Sequence, residues 1–352
     1  ESLRLAPLLE AAGADALHVS VGMPLSEGYI SAPMDVPDGF NVEAAAQMRA
    51  CVSIPVIAVD RINTPELAEQ VIAQGKADFV AVGRGMLADP NFVKKIGTGE
   101  PVCLCLGCNQ GCRKSVTKKA IYCVQNPFTG REAEWALEPL AEKPRVLVVG
   151  AGVSGLEAAM DFAKRGAQVE VWEAQARAGG LIELAKLPPH KSVLERLIAY
   201  RLAVLEQLGV PVRYGRRADA ETVAAFAPRL VVLATGSGPA IPPIEGLNDP
   251  HVMTVDEALP RLDEIQAKHC AVLGGGLAGL ETADALCARG VRADIFEMAD
   301  AVGAGLPTTR KGFVMDRLNA GGCTMHTGAR IRRVAFPMIG YEQNGQTMET
   351  GP

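Results

Sequence analysis

A chain of 352 residues, 48% apolar and only 5% aromatic, is long enough for two or three domains, and its wealth of Gly and Ala suits α/β layers rather than a β-sandwich or a disordered chain. A formal net charge of −5 spread along the sequence argues against a nucleic-acid partner or an anionic membrane. With no apolar run long enough to span a bilayer and no signal peptide before the first element, a soluble cytoplasmic protein is expected.

Glu1 opens the chain in mid-helix without a cap, so a fragment is expected. Residues Ser2 to Ala12 carry a helical apolar pattern, and Ala16 to Val21 reads as a buried strand in which His18 is expected to be a core histidine. A loop with Pro24, Gly28, Pro33, Pro37 and Gly39 follows. Next come a helix from Val42 to Ala50, a strand from Pro55 to Val59, a helix opened by Thr64-Pro65 and ended at Gly75, and a strand from Phe79 to Val82. The βαβαβ alternation predicts parallel neighbours, and three such strands can neither close a barrel nor cover their own faces, which implies more strands upstream. Val59-Asp60-Arg61-Ile62 and Val82-Gly83-Arg84-Gly85 follow the last two strands. Turns there commonly bind phosphate through backbone N–H groups and an Arg; the alternative for Arg61 and Arg84 is an ordinary solvated or salt-bridged side chain.

Five of the nine cysteines fall between Cys103 and Cys123. The odd count and dense clustering favour metal or cluster ligation over disulfides. A structural zinc site commonly uses two separated Cys-x2-Cys knuckles or includes His, whereas Cys105-x2-Cys108-x3-Cys112 crowds three thiols on one loop, with a fourth at Cys123 and no His nearby. Such compact ligation suits an iron-sulfur cube, whose charge Arg113, Lys114, Lys118 and Lys119 could partly offset, with zinc the alternative. Cys103 is then a spare that competes with Cys105. Cys51, Cys270, Cys287 and Cys323 lie in apolar contexts and read as core residues.

A polar linker, Glu132 to Lys143, leads into a strand from Arg145 to Val149 and then Gly150-Ala151-Gly152-Val153-Ser154-Gly155, a helix, and a strand from Gln168 to Trp172 ending at Glu173. The device recurs at Cys270 to Leu273, Gly274-Gly275-Gly276-Leu277-Ala278-Gly279, a helix, and Arg292 to Phe296 ending at Glu297. In each copy the first glycine permits the tight turn, the second lets a pyrophosphate approach the backbone, and the third lets helix and strand pack closely. Glu173 and Glu297 each lie 21 residues beyond the middle glycine of their motif, where a carboxylate can hold a ribose diol. A carboxylate at Glu297 repels a 2′-phosphate, favouring NADH over NADPH unless Arg292 or Arg310 reaches the site. The tail from Phe336 to Pro352 has weak periodicity and is expected to stop without a closing strand.

Taken together, I-P-V-I-A-V-D-R-I (54 to 62), A-D-F-V-A-V-G-R-G-M-L-A-D-P (77 to 90), C-L-G-C-N-Q-G-C (105 to 112), C-V-Q-N-P (123 to 127), V-L-V-V-G-A-G-V-S-G-L-E-A-A (146 to 159), E-A-Q-A-R-A-G-G (173 to 180) and L-A-T-G (233 to 236) resemble the NADH:flavin oxidoreductase family that includes 2,4-dienoyl-CoA reductase, 2-enoate reductase and trimethylamine dehydrogenase. The resemblance implies the C-terminal part of an FMN-binding (β/α)8 TIM barrel (1 to 100), an iron-sulfur segment and linker (101 to 143), and a glutathione reductase-like pair of Rossmann modules. These would be an FAD domain (144 to 250), an NAD(P) domain (251 to 335) and an incomplete return to the FAD domain (336 to 352). It implies that Cys105, Cys108, Cys112 and Cys123 hold a 4Fe-4S cluster, and that Arg61, Gly83 and Arg84 hold FMN phosphate. FAD falls to Gly150, Gly152, Gly155, Glu173, Gly180, Thr235 and Gly236, and NADH to Gly274, Gly276, Gly279 and Glu297. Many relatives have Gly where Asp60 sits, and a carboxylate there must turn away from the phosphate or pair with Arg61.

The function so implied is reduction of an activated C=C bond in an enoate or 2,4-dienoyl-CoA, electrons passing from NADH through FAD and the cluster to FMN. The alternatives are an amine dehydrogenase running the other way and a truncated, non-catalytic nucleotide-binding module. The catalytic acid is expected upstream, the fragment alone is expected to be inactive toward its small-molecule substrate, and oligomerisation stays open.

Overall fold

The computed structural model describes residues 1–23, 26–113 and 120–351. It divides into two compact units: Glu1–Ala178 with Arg196–Leu233, and Gly179–Glu195 with Ala234–Pro352. The stretch from 144 to 250 is thus shared between them. Pro24, Lys114, Lys118 and Lys119 lie outside the described residues.

In the first unit, strands β1 (Leu17–Val19), β2 (Val56–Ala58) and β3 (Phe79–Val80) form a parallel sheet in that order, as the alternation predicts. One face packs on the helices Val42–Arg49 and Pro65–Ala73 through Val42, Ala45, Val56, Ala58, Ala68 and Val71. The second of these helices starts where Thr64 accepts the Leu67 N–H and Pro65 takes a first-turn position needing no donor. Strand side chains alternate between faces, so His18 and Phe79 lie on the other face. His18 is exposed, which corrects the core assignment: a hydrophobic neighbourhood in sequence does not say which face of the sheet is covered.

The same unit holds a four-stranded parallel sheet, ordered β6-β5-β4-β7, from β4 (Arg145–Val149), β5 (Gln168–Trp172), β6 (Val212–Arg213) and β7 (Leu230–Leu233). Val146, Leu147 and Val148 are fully buried, as near-continuous apolar runs are when both faces of a parallel sheet are covered.

In the second unit, β8 (His269–Leu273), β9 (Arg292–Phe296) and β10 (Thr324–His326) form a parallel sheet packed on the helices Leu277–Cys287 and Thr308–Ala320. Beyond it, β11 (Arg330–Ala335), β12 (Met338–Gln343) and β13 (Gln346–Thr350) form an antiparallel meander. This corrects the expectation for the tail. Asn344 and Gly345, at φ of 52° and 75°, are the two-residue loop that turns β12 into β13. Cys51 is exposed rather than buried, and all nine cysteines are free thiols. Among the described residues no helix is long and apolar enough to cross a membrane.

Candidate functional site

The cysteine segment is tied to the barrel-like part by side chains from both. Asp89 Oδ2 accepts the Cys103 N–H at 2.9 Å and pairs with Lys95 at 2.7 Å, while Asn126 and Thr129 both donate to the Leu87 carbonyl. Gly107 and Asn109 adopt positive φ, so the loop doubles back on itself. At Gly107, whose φ of 67° already disfavours a side chain, a Cβ would come within 1.9 Å of Arg61 Nη1 and displace that guanidinium.

So folded, Cys105, Cys108, Cys112 and Cys123 line one recess with Arg84, Leu87, Leu106, Tyr122 and Gln125. Cys103 packs beside Cys105 and Cys123 but does not line the recess, its thiol lying 3.8 Å from the Gln125 carbonyl. Burial pushes the Cys108 thiol up to about 12 and raises Cys112 and Cys123, with repulsion between the gathered sulfurs adding to it. Among the described residues no three His, Cys, Asp or Glu side chains are placed to hold a single metal ion.

The two arginines expected at a phosphate have different surroundings. Arg61, at φ 54° and only 6% exposed, sits beneath the cysteine loop with Nη2 2.6 Å from Asp38 Oδ1. Asp38 also accepts from Asn63 and, through Oδ2, pairs with Arg196 at 3.0 Å. Burial lowers the Arg61 pKa, with Asp38 opposing. Arg84 follows Gly83 and donates Nη1 to Asn109 Oδ1 at 2.5 Å, and it both lines the recess and faces Asp60. Asp60 is turned away and does not pair with Arg61: its Oδ2 accepts from the Val21 N–H at 3.0 Å and from Asn41 at 3.1 Å. Burial raises its pKa against those bonds and the Arg84 charge. A φ of 83° at a non-glycine residue marks strain at this turn.

The two glycine turns are built alike. Gly150 and Gly274 take φ of 106° and 103°, and a Cβ at Gly152 or Gly276 would meet nothing within 4 Å, leaving the backbone open to a ligand. In the first copy Glu173 Oε2 accepts the Ala151 N–H at 2.7 Å and Oε1 the Gln175 N–H at 2.8 Å. In the second, Glu297 Oε2 accepts the Gly275 N–H at 2.7 Å and Oε1 the Ala299 N–H at 2.8 Å. Gly279 is needed for close packing, since a Cβ there would lie 1.9 Å from the Gly274 carbonyl oxygen. Of the cations near Glu297 in sequence, Arg310 is 3% exposed and pairs with Glu281, which also pairs with Lys191, while Arg292 meets Thr324 and Asp294. Gly180, Thr235 and Gly236 belong to the second unit, Gly180 and Gly236 at positive φ and Thr235 exposed.

Sequence reasoning missed Glu157, Asp161 and Arg201. Glu157 and Asp161 lie one turn apart on the helix Val153–Lys164, and Glu157 pairs at 2.6 Å with Arg201. Glu281 stands at the same offset behind the second glycine turn and also pairs with a buried arginine, a repetition the sequence displays. Asp161 Oδ1 is buried without a hydrogen-bond partner, and burial, with the Glu157 charge adding, pushes its carboxyl from 3.8 to about 6. Between those values the folded chain holds a proton that the unfolded chain has lost, so stability falls as pH rises through this window. Asp161→Asn should therefore raise the melting temperature at pH 8 by about 2–4 °C, the shift being modest because the group is partly screened by water, and by less at pH 4. Equal shifts at the two pH values would contradict the assignment.

Two turns of the dinucleotide-binding type, a barrel-type sheet with its arginine turns and a thiol-lined recess place the chain in the flavin and pyridine-nucleotide class of folds. Within it, the chain belongs to the NADH:flavin oxidoreductase / NADH oxidase family, whose model matches residues 29–102. Models for the pyridine nucleotide-disulphide oxidoreductases and for an NAD(P)-binding Rossmann-like domain match residues 206–342 and 148–200. An NADH oxidase of Thermoanaerobacter brockii is 36% identical over 95% of this chain and 52% of its own length. A bilirubin reductase of Mediterraneibacter gnavus is 38% identical over 86% of this chain and 48% of its own length. The solved structure of 2-naphthoyl-CoA reductase in complex with 2-naphthoyl-CoA superposes with a TM-score of 0.92, at 27% identity, over 99% of this chain and 54% of that one. The chain spans about half the length of the curated relatives it matches.

Proposed function

We propose that this protein uses NADH to reduce an activated C=C bond, of the enoate or enoyl-CoA kind, with FAD, a four-iron four-sulfur cluster and FMN between donor and substrate. The observation that carries the reading is the convergence of Cys105, Cys108, Cys112 and Cys123 on one recess, in the same unit as the Gly150 turn. An all-thiol donor set, three members of it on one short loop, fits a polynuclear cluster. When bound, the flavins and cluster supply hydride and one-electron chemistry.

The chain's own residues hold and orient these groups. Cys105, Cys108, Cys112 and Cys123 would ligate the cluster. Gly83 and Arg84 would receive the FMN phosphate, with Arg61 and Asp38 bracing the loop beneath. Gly150, Gly152, Gly155 and Glu173 would hold FAD. Gly274, Gly276, Gly279 and Glu297 would hold the nicotinamide nucleotide.

Commitment of Arg292 and Arg310 to other partners leaves Glu297 as the charge facing the adenosine ribose, which supports NADH over NADPH. Anaerobic mixing should show NADH reducing the bound flavin about tenfold more efficiently than NADPH, the cost of roughly 1.4 kcal/mol of like-charge repulsion. A cluster signal should then appear by electron paramagnetic resonance. Reduction by an amine but not by NADH, or zinc in place of iron and sulfide, would overturn the proposal.

A further inference from the structure

The most thoroughly engaged buried charge of the first unit is Arg201, 2% exposed on the helix Glu195–Gln207. Its Nη1 donates to Gln125 Oε1 at 3.1 Å and to the Leu197 carbonyl at 2.8 Å. Its Nη2 donates to the Gln125 carbonyl at 3.1 Å and pairs with Glu157 at 2.6 Å. Gln125 is two residues past Cys123, and its Nε2 donates to the carbonyl of Leu104, the residue before Cys105. One guanidinium therefore gathers both legs of the cysteine segment and fastens them to the helix that begins at Gly152. The helix Glu195–Gln207 also supplies Arg196, whose Nη1 donates to the Cys105 carbonyl at 3.0 Å.

A buried arginine used only for packing has no need to choose these partners. Ion pairing inside a protein is weak support for stability, because desolvation offsets attraction, but a planar fork fixes geometry well. The cation also lies within Coulombic reach of Cys123 and Cys103, where added negative charge is stabilised by it.

We propose that Arg201 is a positioning residue that holds the cysteine recess at a set separation from the dinucleotide helix Val153–Lys164 and keeps the reduction potential at the recess high, with Glu157 as its counterweight. This rests on the cluster reading above. When bound, FAD would take a hydride from NADH, and the cluster would carry its two electrons one at a time to FMN, the flavin proton going to solvent; Arg201 governs how readily electrons enter the recess.

The test uses the whole chain, loaded anaerobically with flavin and cluster, mixed with NADH and followed both by flavin absorbance and by the cluster's paramagnetic signal, alongside a redox titration. Arg201→Met should take hydride at the wild-type rate, reduce the cluster about tenfold more slowly, as a small misplacement of reacting groups does, and show a lower cluster potential. Arg201→Lys keeps the charge and loses the fork, so its potential should return toward wild type while the transfer stays slow. Glu157→Gln, which preserves shape and removes the negative charge, should shift the potential upward, and it decides the matter if Arg201→Met does not fold. Opposite signs for the two variants support the proposal; a merely structural arginine would not produce them. A wild-type chain without a cluster signal overturns the cluster reading. A wild-type chain with one, matched in rate and potential by the folded variants, overturns the Arg201 assignment alone.

Discussion

Cys123→Ala should leave the protein without its iron. The other three thiols come from one loop, Cys105 to Cys112, and Cys123 is the ligand from across the recess, so its removal opens the only leg that a separate segment supplies. Burial already raises the Cys108 and Cys112 thiols, so the loop gains little from binding a cluster left open to water on one side. Iron and acid-labile sulfide should fall from about four of each per chain to near zero, while FAD content holds because the Gly150 turn and Glu173 make none of these contacts. Cys103→Ala is the control: its thiol points at the Gln125 carbonyl, so iron content should be unchanged. Loss of iron in Cys103→Ala with retention in Cys123→Ala would reverse the assignment.

Gly279→Ala carries the second large effect. The added Cβ would sit 1.9 Å from the Gly274 carbonyl oxygen, a backbone atom, and because the backbone fixes where a Cβ lies no side-chain rotation can relieve the clash. The helix Leu277–Cys287 must move away from its glycine turn, at a cost of about 1–3 kcal/mol. Because the turn is the nucleotide seat, that distortion should lower the efficiency of NADH-driven flavin reduction about hundredfold, equivalent to roughly 2.7 kcal/mol. Iron and FAD should remain at wild-type levels, and dithionite, which bypasses the nucleotide, should still bleach the flavin. A variant that keeps wild-type kinetics with NADH would place the nucleotide elsewhere.

Both glycine turns, the parallel pairing of neighbouring strands and the grouping of four cysteines could be read from sequence because each depends on residues close together in the chain or on a spacing set by one strand-helix-strand unit. The tail was misread for a different reason. Its strands are short and one-sided, so hydrophobic periodicity is faint, whereas the Asn344-Gly345 pair, which signals a hairpin by its backbone preference, carried the information. His18 was misplaced because alternation along a strand says that two faces exist and not which of them is covered. Arg201 could not be recognised at all by local reading: its partners lie 44 and 76 positions away, and a lone arginine on an amphipathic helix ordinarily marks the solvent side.

Glu173 and Glu297 each fasten their own glycine turn to the exit of the following strand. Because both turns are braced by the chain in the same way, any difference in how firmly the two proposed nucleotides are held has to originate in what each touches beyond its ribose and pyrophosphate.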